Sequence, residues 1–276
     1  DGKPWGVRQA PAIDGGTVYV LDEQPVLHVF SGGGEAPIYE GSYITMAASQ
    51  ISAAEPLDTA HERGSVAIID GVTTPHVVFP TRKTVVAVRQ GAPAKHWEFS
   101  EFLEEASPWF GYEVTSSLAV TSDGKVLFAA GLPNADSHEK QQLFRLLPDS
   151  DDKIAVVDAG FPVPLHQSAT NPTGLTLDSV TGIALRGDED IYISTRFHGV
   201  WRLNADGTPK WRFIGDEESL RVESVPAVGD DGAIYFMAEP SSFYGVDENG
   251  KRIFRASPET GGNWQGTSPA IQEDGT

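Results

Sequence analysis

A unit of four short apolar segments separated by turn residues recurs along this chain of 276 residues. Its clearest copy covers residues 224–255. The four segments of that copy are Val225–Val228, Ala233–Ala238, Phe243–Val246 and Arg252–Arg255. Asp231-Gly232 lies between the first and second segments, and Asn249-Gly250 lies between the third and fourth. Such dipeptides favour tight hairpin turns because they tolerate positive φ. Each copy therefore predicts four antiparallel strands joined by hairpins.

An alanine marks the first strand of each copy, and a bulky aromatic residue marks the fourth strand of most copies. The alanines are Ala12, Ala67, Ala119, Ala184, Ala227 and Ala270. The aromatic markers are Tyr39, Trp97, Trp211 and Phe254. The two markers are 27 residues apart in three copies, whereas successive alanines are 43 to 65 residues apart. A constant length inside the copy indicates one structural unit with variable connectors.

A lone four-stranded sheet would leave both of its faces and its edges uncovered. Sheets that pack face to face around an axis cover both faces, and repeats of about 40–50 residues are typical of propeller blades. We therefore predict an all-β fold: a β-propeller of four-stranded antiparallel blades. About six blades are visible in the sequence, and the full protein is expected to have up to seven or eight.

Residues 1–276 are expected to form one propeller domain. The sequence ends in the hairpin at residues 274–276 and starts with a segment, residues 1–5, that resembles a fourth strand. We expect a fragment, or the ordered part, of a longer chain. The alternative, in which the two ends share one incomplete blade, stays open.

The clearest copy contains SVPAVGDDGAIYF and, after a short loop, FYGVDENGKRIF. These residues resemble the PQQ-like repeat propellers, a group that includes quinoprotein dehydrogenases and the non-catalytic propeller lipoprotein of the outer-membrane β-barrel assembly machinery. The first and fourth copies resemble the group as well, and the second and third are degenerate. The fuller signature A-x-D-x-x-T-G-x-x-x-W has no complete match. Trp97 and Trp211 stand where its tryptophan would, and Phe254 replaces it in the fifth copy; in the family this residue docks neighbouring blades.

The composition of the chain argues against several functional classes of protein. The formal net charge of −19 argues against nucleic acid and against an anionic membrane surface, which both attract cationic proteins. The sequence contains no run of 18 apolar residues, so it predicts no membrane-spanning helix. The resemblance implies a bacterial, extracytoplasmic protein, whether periplasmic, at the cell surface or secreted. Quinoprotein alcohol dehydrogenases, which belong to the group that this chain resembles, carry a vicinal disulfide. This chain has no cysteine, which argues against that activity.

The candidate binding residues lie in connectors, because propeller strands are used for packing. Trp109, Phe110 and Tyr112 predict a partner-binding rim in the connector 91–112. The alternative is that their rings fill the gap between two blades. Ser100 is expected to cap a helical turn in the same connector, with Glu101 and Glu104 near its positive end.

The other candidates lie farther along the chain. Phe161 and His166 belong to the longest insertion, residues 150–175, which predicts either a partner-binding loop or a cover for one blade. His198 follows the second strand of the fourth copy, where it would face the mouth of the ring or lie in solvent. The acidic run at residues 149–152 suggests Ca²⁺, but it lacks the later glycine and glutamate of a calcium loop. A solvated turn is the simpler interpretation, and no cofactor is predicted.

No catalytic constellation is recognisable. The seven histidines form no His-x-x-x-His or His-Glu-x-x-His pattern, and no Gly-x-Ser-x-Gly sequence occurs. The chain has 39 carboxylates, so paired acids are expected by chance and do not indicate a glycosidase. The sequence therefore favours a non-catalytic scaffold that binds a protein or peptide through connector loops or a strand edge. The alternative is an enzyme or a carbohydrate- or ligand-binding propeller that uses the axial funnel, including a PQQ-dependent dehydrogenase.

Overall fold

The structure is a computed structural model, and it describes about two thirds of the chain. The described residues are 11–22, 26–32, 38–44, 65–69, 76–89, 95–132, 141–147, 155–165, 180–196, 198–215, 220–257 and 268–271. Strands dominate these residues, and the one helical segment among them is a 3₁₀ turn at Glu101–Leu103.

The strands form five consecutive antiparallel sheets, which we call blades 1 to 5. Blade 1 contains β1 (Ala12–Asp14), β2 (Thr17–Leu21), β3 (Val26–Ser31) and β4 (Ile38–Ile44). Blade 2 contains β5 (Ala67–Ile69), β6 (His76–Pro80), β7 (Val85–Arg89) and β8 (Lys95–Phe99). Blade 3 contains β9 (Glu113–Val114), β10 (Ala119–Val120), β11 (Val126–Gly131), β12 (Gln142–Leu147), β13 (Val156–Val157) and β14 (Val163–Pro164). Blade 4 contains β15 (Val180–Arg186), β16 (Asp190–Thr195), β17 (Gly199–Asn204) and β18 (Pro209–Phe213). Blade 5 contains β19 (Ala227–Val228), β20 (Ile234–Ala238), β21 (Ser242–Val246) and β22 (Arg252–Ala256).

The predicted β-propeller architecture is confirmed. Blade 3 keeps the four-strand plan, because β9 and β10 both pair with β11 as a split first strand, and β13 and β14 both pair with β12 as a split fourth strand. With β10 counted as part of a first strand, five of the marker alanines lie in first strands, and the four aromatic markers lie in fourth strands. The first strands of successive blades contact one another, which places them around a common axis. Ser268 belongs to the sixth repeat, and its Oγ accepts a hydrogen bond from the Val225 amide at 3.0 Å. The start of the sixth repeat therefore lies beside blade 5.

Neighbouring blades share their hydrophobic cores, because strand residues alternate between two buried faces. In β7, Val85 and Ala87 pack against blade 3, whereas Val86 and Val88 pack against blade 1. β11 divides its residues between blades 2 and 4 in the same way. The period of two in a strand thus supplies one face to each neighbour. This burial of both faces explains why the central strands are continuously apolar rather than alternating.

Trp211 docks blade 4 onto blade 5, as the resemblance implied. Its indole Nε1 donates to the Glu248 carbonyl oxygen at 2.8 Å. The ring lies over Gly250, where φ is +80° and an added Cβ would be 3.0 Å from the indole. In blade 2, Trp97 is 1% exposed within the core shared with blade 3.

Arginines on third strands make a second recurring link between blades. Arg145 of β12 donates to the Ala205 carbonyl at 2.9 Å, and Arg202 of β17 donates to the Glu248 carbonyl at 2.5 Å. Both carbonyls lie 21 residues after the first-strand alanine of their own blade. The sequence repeat therefore has a counterpart in the contacts between blades 3 and 4 and between blades 4 and 5.

Each of these arginines is held by a carboxylate of its own blade. Arg145 Nε lies 2.6 Å from Asp158, and Arg202 donates to both oxygens of Asp190 at 3.0 and 2.7 Å. Lys210 Nζ lies 2.5 Å from the same Asp190 carboxylate. Burial alone raises the pKa of Asp190, but the hydrogen bonds from Arg202 and Lys210 outweigh it, so the pKa lies below its usual value.

Candidate functional site: a closed aromatic loop on the connector face

The antiparallel order of the strands defines two faces of the ring. The turns between second and third strands lie on the same face as the connectors between blades, and we call this the connector face. It includes the turns after Pro80, Gly131, Thr195 and Ala238, together with the connector from β8 to β10. Long connectors on a rigid scaffold are the segments of a propeller free to vary for function.

Residues 100–112 form a compact loop on this face, which we call the closed loop. The Gly111 amide donates to the Phe102 carbonyl at 3.0 Å and joins the two ends of the loop. Further backbone hydrogen bonds link Leu103 to Ser100, Ser107 to Glu104 and Phe110 to Ser107. Gly111 has φ of +82°, a conformation that glycine adopts without strain. The loop is thus fixed by its own backbone, as in compact surface loops that frequently carry function.

The closed loop is anchored by aromatic rings packed on Phe144 of β12. Phe102 is fully buried and meets the Phe144 ring edge to face at 5.3 Å. Trp109 makes a similar contact at 5.5 Å, and Tyr112 lies 6.4 Å from the same ring. Such edge-to-face pairs are favourable beyond the area they bury. These contacts attach the closed loop to the core between blades 2 and 3.

Two apolar side chains of the loop face solvent instead. Leu103 is 43% exposed and Phe110 is 50% exposed. Leu103 follows Phe102 and Phe110 precedes Gly111, and the backbone hydrogen bond between Gly111 and Phe102 closes the loop. The Cα atom of each exposed residue therefore lies about 3.8 Å from the Cα atom of a residue in that bond. Leu103 and Phe110 are thus exposed apolar side chains next to the closure of the loop, and we call the two together the apolar edge.

The three predicted aromatic residues of this connector thus occupy different environments. Tyr112 is 7% exposed and Trp109 is partly buried, and both pack in the core between blades 2 and 3. Burial raises the pKa of Tyr112 above its usual value. Phe110 alone of the three is largely exposed. Its role in binding stays a prediction, whereas Trp109 and Tyr112 hold the loop in place. Ser100 is the N-cap residue of the 3₁₀ turn and Glu101 lies in its first turn, as predicted, but the Ser100 side chain makes no capping hydrogen bond.

The remaining predicted residues lie away from the closed loop. Phe161 lies in the break between β13 and β14, the two parts of the fourth strand of blade 3, and its ring centroid lies 4.2 Å from the Arg145 guanidinium. His198 is half-buried on the connector face, where its backbone pairs with Leu220 of the next connector. His166 lies outside the described residues, as does the acidic run at 149–152. The binding roles of Phe161, His166 and His198 stay predictions.

Ion pairs brace the connector face at the blade junctions. The Arg82 guanidinium lies 2.6 Å from the buried carboxylate of Glu113, and the Arg82 carbonyl accepts from the Val114 amide at 3.0 Å. Arg221 pairs with Glu223 at 2.5 Å and with Glu239 at 2.9 Å. These pairs link the connectors to the turns of adjacent blades, so they position the loops rather than offer open charges.

Among the described residues, no group of three or more histidine, cysteine or acidic side chains is arranged to hold a metal ion. Within the same part of the chain, no helix is long and apolar enough to cross a membrane.

Leu103 was missed by the sequence analysis. It follows an aromatic residue in a connector, and nothing in the local pattern distinguishes it from buried Phe102. It stands out only in the structure, where Phe102 is fully buried and Leu103 is exposed beside the closure of the loop.

Comparison with known proteins supports the fold and goes no further. No family model matches the chain, and no curated protein matches it. Among solved structures, BamB from Moraxella catarrhalis is similar with a TM-score of 0.51 and 14% identity, over 91% of this chain and 64% of that one. Sqt1 from Saccharomyces cerevisiae is similar with a TM-score of 0.58 and 12% identity, over 90% of this chain and 59% of that one.

A europium-containing methanol dehydrogenase is also similar, with a TM-score of 0.58 and 14% identity, over 93% of this chain and 52% of that chain. The chain thus spans less than two thirds of the length of each of these three structures. Together with the blades described above, these likenesses show that the chain has the β-propeller fold.

Proposed function

We propose that this protein is a non-catalytic interaction scaffold that binds a protein or peptide partner through its connector face. The observation that carries the proposal is the apolar edge of Leu103 and Phe110 on the closed loop. Both side chains keep about half of their surface in water, although the loop beneath them is packed and hydrogen-bonded. Covering that surface with a partner is favourable, because apolar area leaves water.

The size of the effect follows from the exposed fractions. Full burial of a leucine or phenylalanine contributes about 1.5–3 kcal/mol, so covering the remaining half of both contributes about 1.5–3 kcal/mol together. That free energy corresponds to a change of about 10- to 150-fold in Kd. The backbone bonds of the loop add to the affinity indirectly, since a loop that is already ordered loses little conformational entropy on binding.

The scaffold is proposed to act outside the cytoplasm of a bacterium. The support for this location is the resemblance of the repeats to the PQQ-like propellers, which include the non-catalytic lipoprotein of the β-barrel assembly machinery. Fractionation of source cells, with detection of the native protein by antibody, tests the location. Recovery in the cytoplasmic fraction would contradict it.

A pull-down with matched variants tests the proposed function. The tagged wild-type chain, the variant Leu103→Ser/Phe110→Ser and the control Ile38→Ser/Ile253→Ser are incubated with an extract of the source cells. The control removes two apolar side chains that are 68% and 54% exposed on outer strands. We expect a protein that is retained by wild type and control and lost from the loop variant. A partner that the loop variant retains would contradict the proposal.

A further inference from the structure

The closed loop combines its apolar edge with negative charge. Residues 100–112 include Glu101, Glu104 and Glu105 and no lysine or arginine. Glu101 accepts a hydrogen bond from Ser107 Oγ at 2.9 Å, and a hydroxyl leaves the charge of a carboxylate in place. Glu104 and Glu105 are exposed. Three negative charges therefore accompany the two exposed apolar side chains.

Nearby cations leave most of this charge in place. The turn after Pro80 reaches the end of the loop and carries Arg82 and Lys83. The Arg82 guanidinium lies 2.6 Å from the buried carboxylate of Glu113, which is not one of the three loop glutamates. Lys83 is then the one basic residue of this turn available to them. Among the described residues of this turn and of the closed loop, three glutamates therefore stand against Lys83, apart from the Arg82–Glu113 pair.

The charges and the apolar edge lie on one surface. Glu104 and Glu105 directly follow Leu103, and all three are exposed. The Gly111–Phe102 hydrogen bond brings Phe110 to the same edge. A partner that covers Leu103 and Phe110 therefore also approaches the carboxylates, where like charge is repelled and opposite charge is attracted.

We infer that the partner segment that docks on the closed loop is a cationic amphipathic peptide, in which lysine or arginine residues accompany leucine or aromatic side chains. This inference rests on the proposed function and adds the chemistry of the partner to it. Apolar side chains of the peptide cover Leu103 and Phe110, and its cations face Glu104 and Glu105. The net charge of −19 steers such a peptide toward the chain and repels acidic competitors.

Three fluorescein-labelled peptides of twelve residues test the inference: one alternating lysine and leucine, one alternating glutamate and leucine, and one alternating lysine and serine. Fluorescence anisotropy gives Kd for the whole chain at 50 and 300 mM NaCl. The variants are Leu103→Ser/Phe110→Ser, Glu104→Gln/Glu105→Gln and the control Asp230→Asn/Asp231→Asn. The control removes two exposed carboxylates from the first hairpin turn of blade 5, on the opposite face.

We expect the lysine–leucine peptide to bind most tightly. The apolar variant should weaken this binding by about tenfold or more, since the peptide loses the apolar edge. The glutamine variant should weaken it by about three- to tenfold at 50 mM NaCl and by less at 300 mM, because salt screens exposed charges. The control should change Kd by less than about twofold.

Two results would overturn the inference while the proposed function stands. One is a Kd for the glutamate–leucine peptide equal to that for the lysine–leucine peptide, with both peptides bound more weakly by the Leu103→Ser/Phe110→Ser variant. The other is an equal loss of lysine–leucine binding in the control and in the glutamine variant, which would reveal attraction to the overall charge. No binding of the lysine–leucine peptide to the wild type also overturns the inference. The pull-down then decides the proposed function separately.

Discussion

The replacement of Gly250 by alanine should destabilise the propeller through the docking of Trp211. Gly250 has φ of +80°, and this left-handed conformation costs a residue with a Cβ about 1–2 kcal/mol. The new Cβ would lie 3.0 to 3.2 Å from three atoms of the indole, against about 3.5–4.0 Å for an ordinary carbon contact. The ring must shift away from Gly250, which strains its hydrogen bond of 2.8 Å to the Glu248 carbonyl. Crowding of this kind adds about 1–3 kcal/mol, for a total of about 2–5 kcal/mol.

Gly15 supplies a matched control for the backbone contribution. Its φ is +53°, and an added Cβ would have no atom within 4 Å. Gly15→Ala should therefore cost about 1–2 kcal/mol, and the difference between the two variants measures the contact with Trp211. In a Trp211→Ala background, the cost of Gly250→Ala should fall to that of the control, since the two residues are coupled.

Urea unfolding followed by far-UV circular dichroism measures all five proteins: the wild type, the two glycine variants, Trp211→Ala and the double variant. A cost for Gly250→Ala no larger than that for Gly15→Ala would refute the docking of Trp211 on blade 5. An unchanged cost for Gly250→Ala without the tryptophan would refute it as well. Either result would remove the tryptophan contact from the account of how blades 4 and 5 are joined.

Three further predictions concern other parts of the molecule. Asp190→Asn should cost about 3–5 kcal/mol at pH 7, because it leaves Arg202 and Lys210 without their carboxylate. The pKa of Asp190 is lowered in the folded state, so its contribution to stability is present above about pH 4 and is lost as the pH falls through the folded pKa. The acid unfolding curves of the wild type and the variant should therefore converge at low pH. Arg145→Met should cost about 1–3 kcal/mol in urea, since it removes hydrogen bonds to Asp158 and to the Ala205 carbonyl; a neutral result would contradict the arginine link between blades 3 and 4. Addition of PQQ and Ca²⁺ should produce no bound chromophore in the visible spectrum, and a stoichiometric bound chromophore would favour the dehydrogenase alternative.

Local sequence patterns predicted the fold well, because each blade is built from neighbouring segments. Ala227 and Phe254 marked the first and fourth strands of blade 5 through their spacing and the turns between them. The fourth strand of blade 3 was harder to predict. It lies within the insertion 150–175, and its second part, β14, is two residues long, includes Pro164, and pairs only through the fold with β12.

The candidate site was predicted less well, because burial in a connector depends on contacts from distant parts of the chain. Trp109 and Tyr112 looked equivalent to Phe110 in the sequence. Their burial results from Phe144, which lies more than 30 residues later and has no signal in the local pattern. Leu103 became a candidate only once the Gly111–Phe102 bond was known.

The central claim is that a partner contacts the closed loop, and site-specific photo-crosslinking tests it most directly. Benzoylphenylalanine is placed at position 110 and, as the control, at position 253, which is also about half exposed but lies on the outer strand β22 of blade 5. The protein is then irradiated in intact source cells. We expect a discrete crosslinked protein from position 110 and none from position 253. No adduct at 110, or the same adduct at both positions, would contradict it.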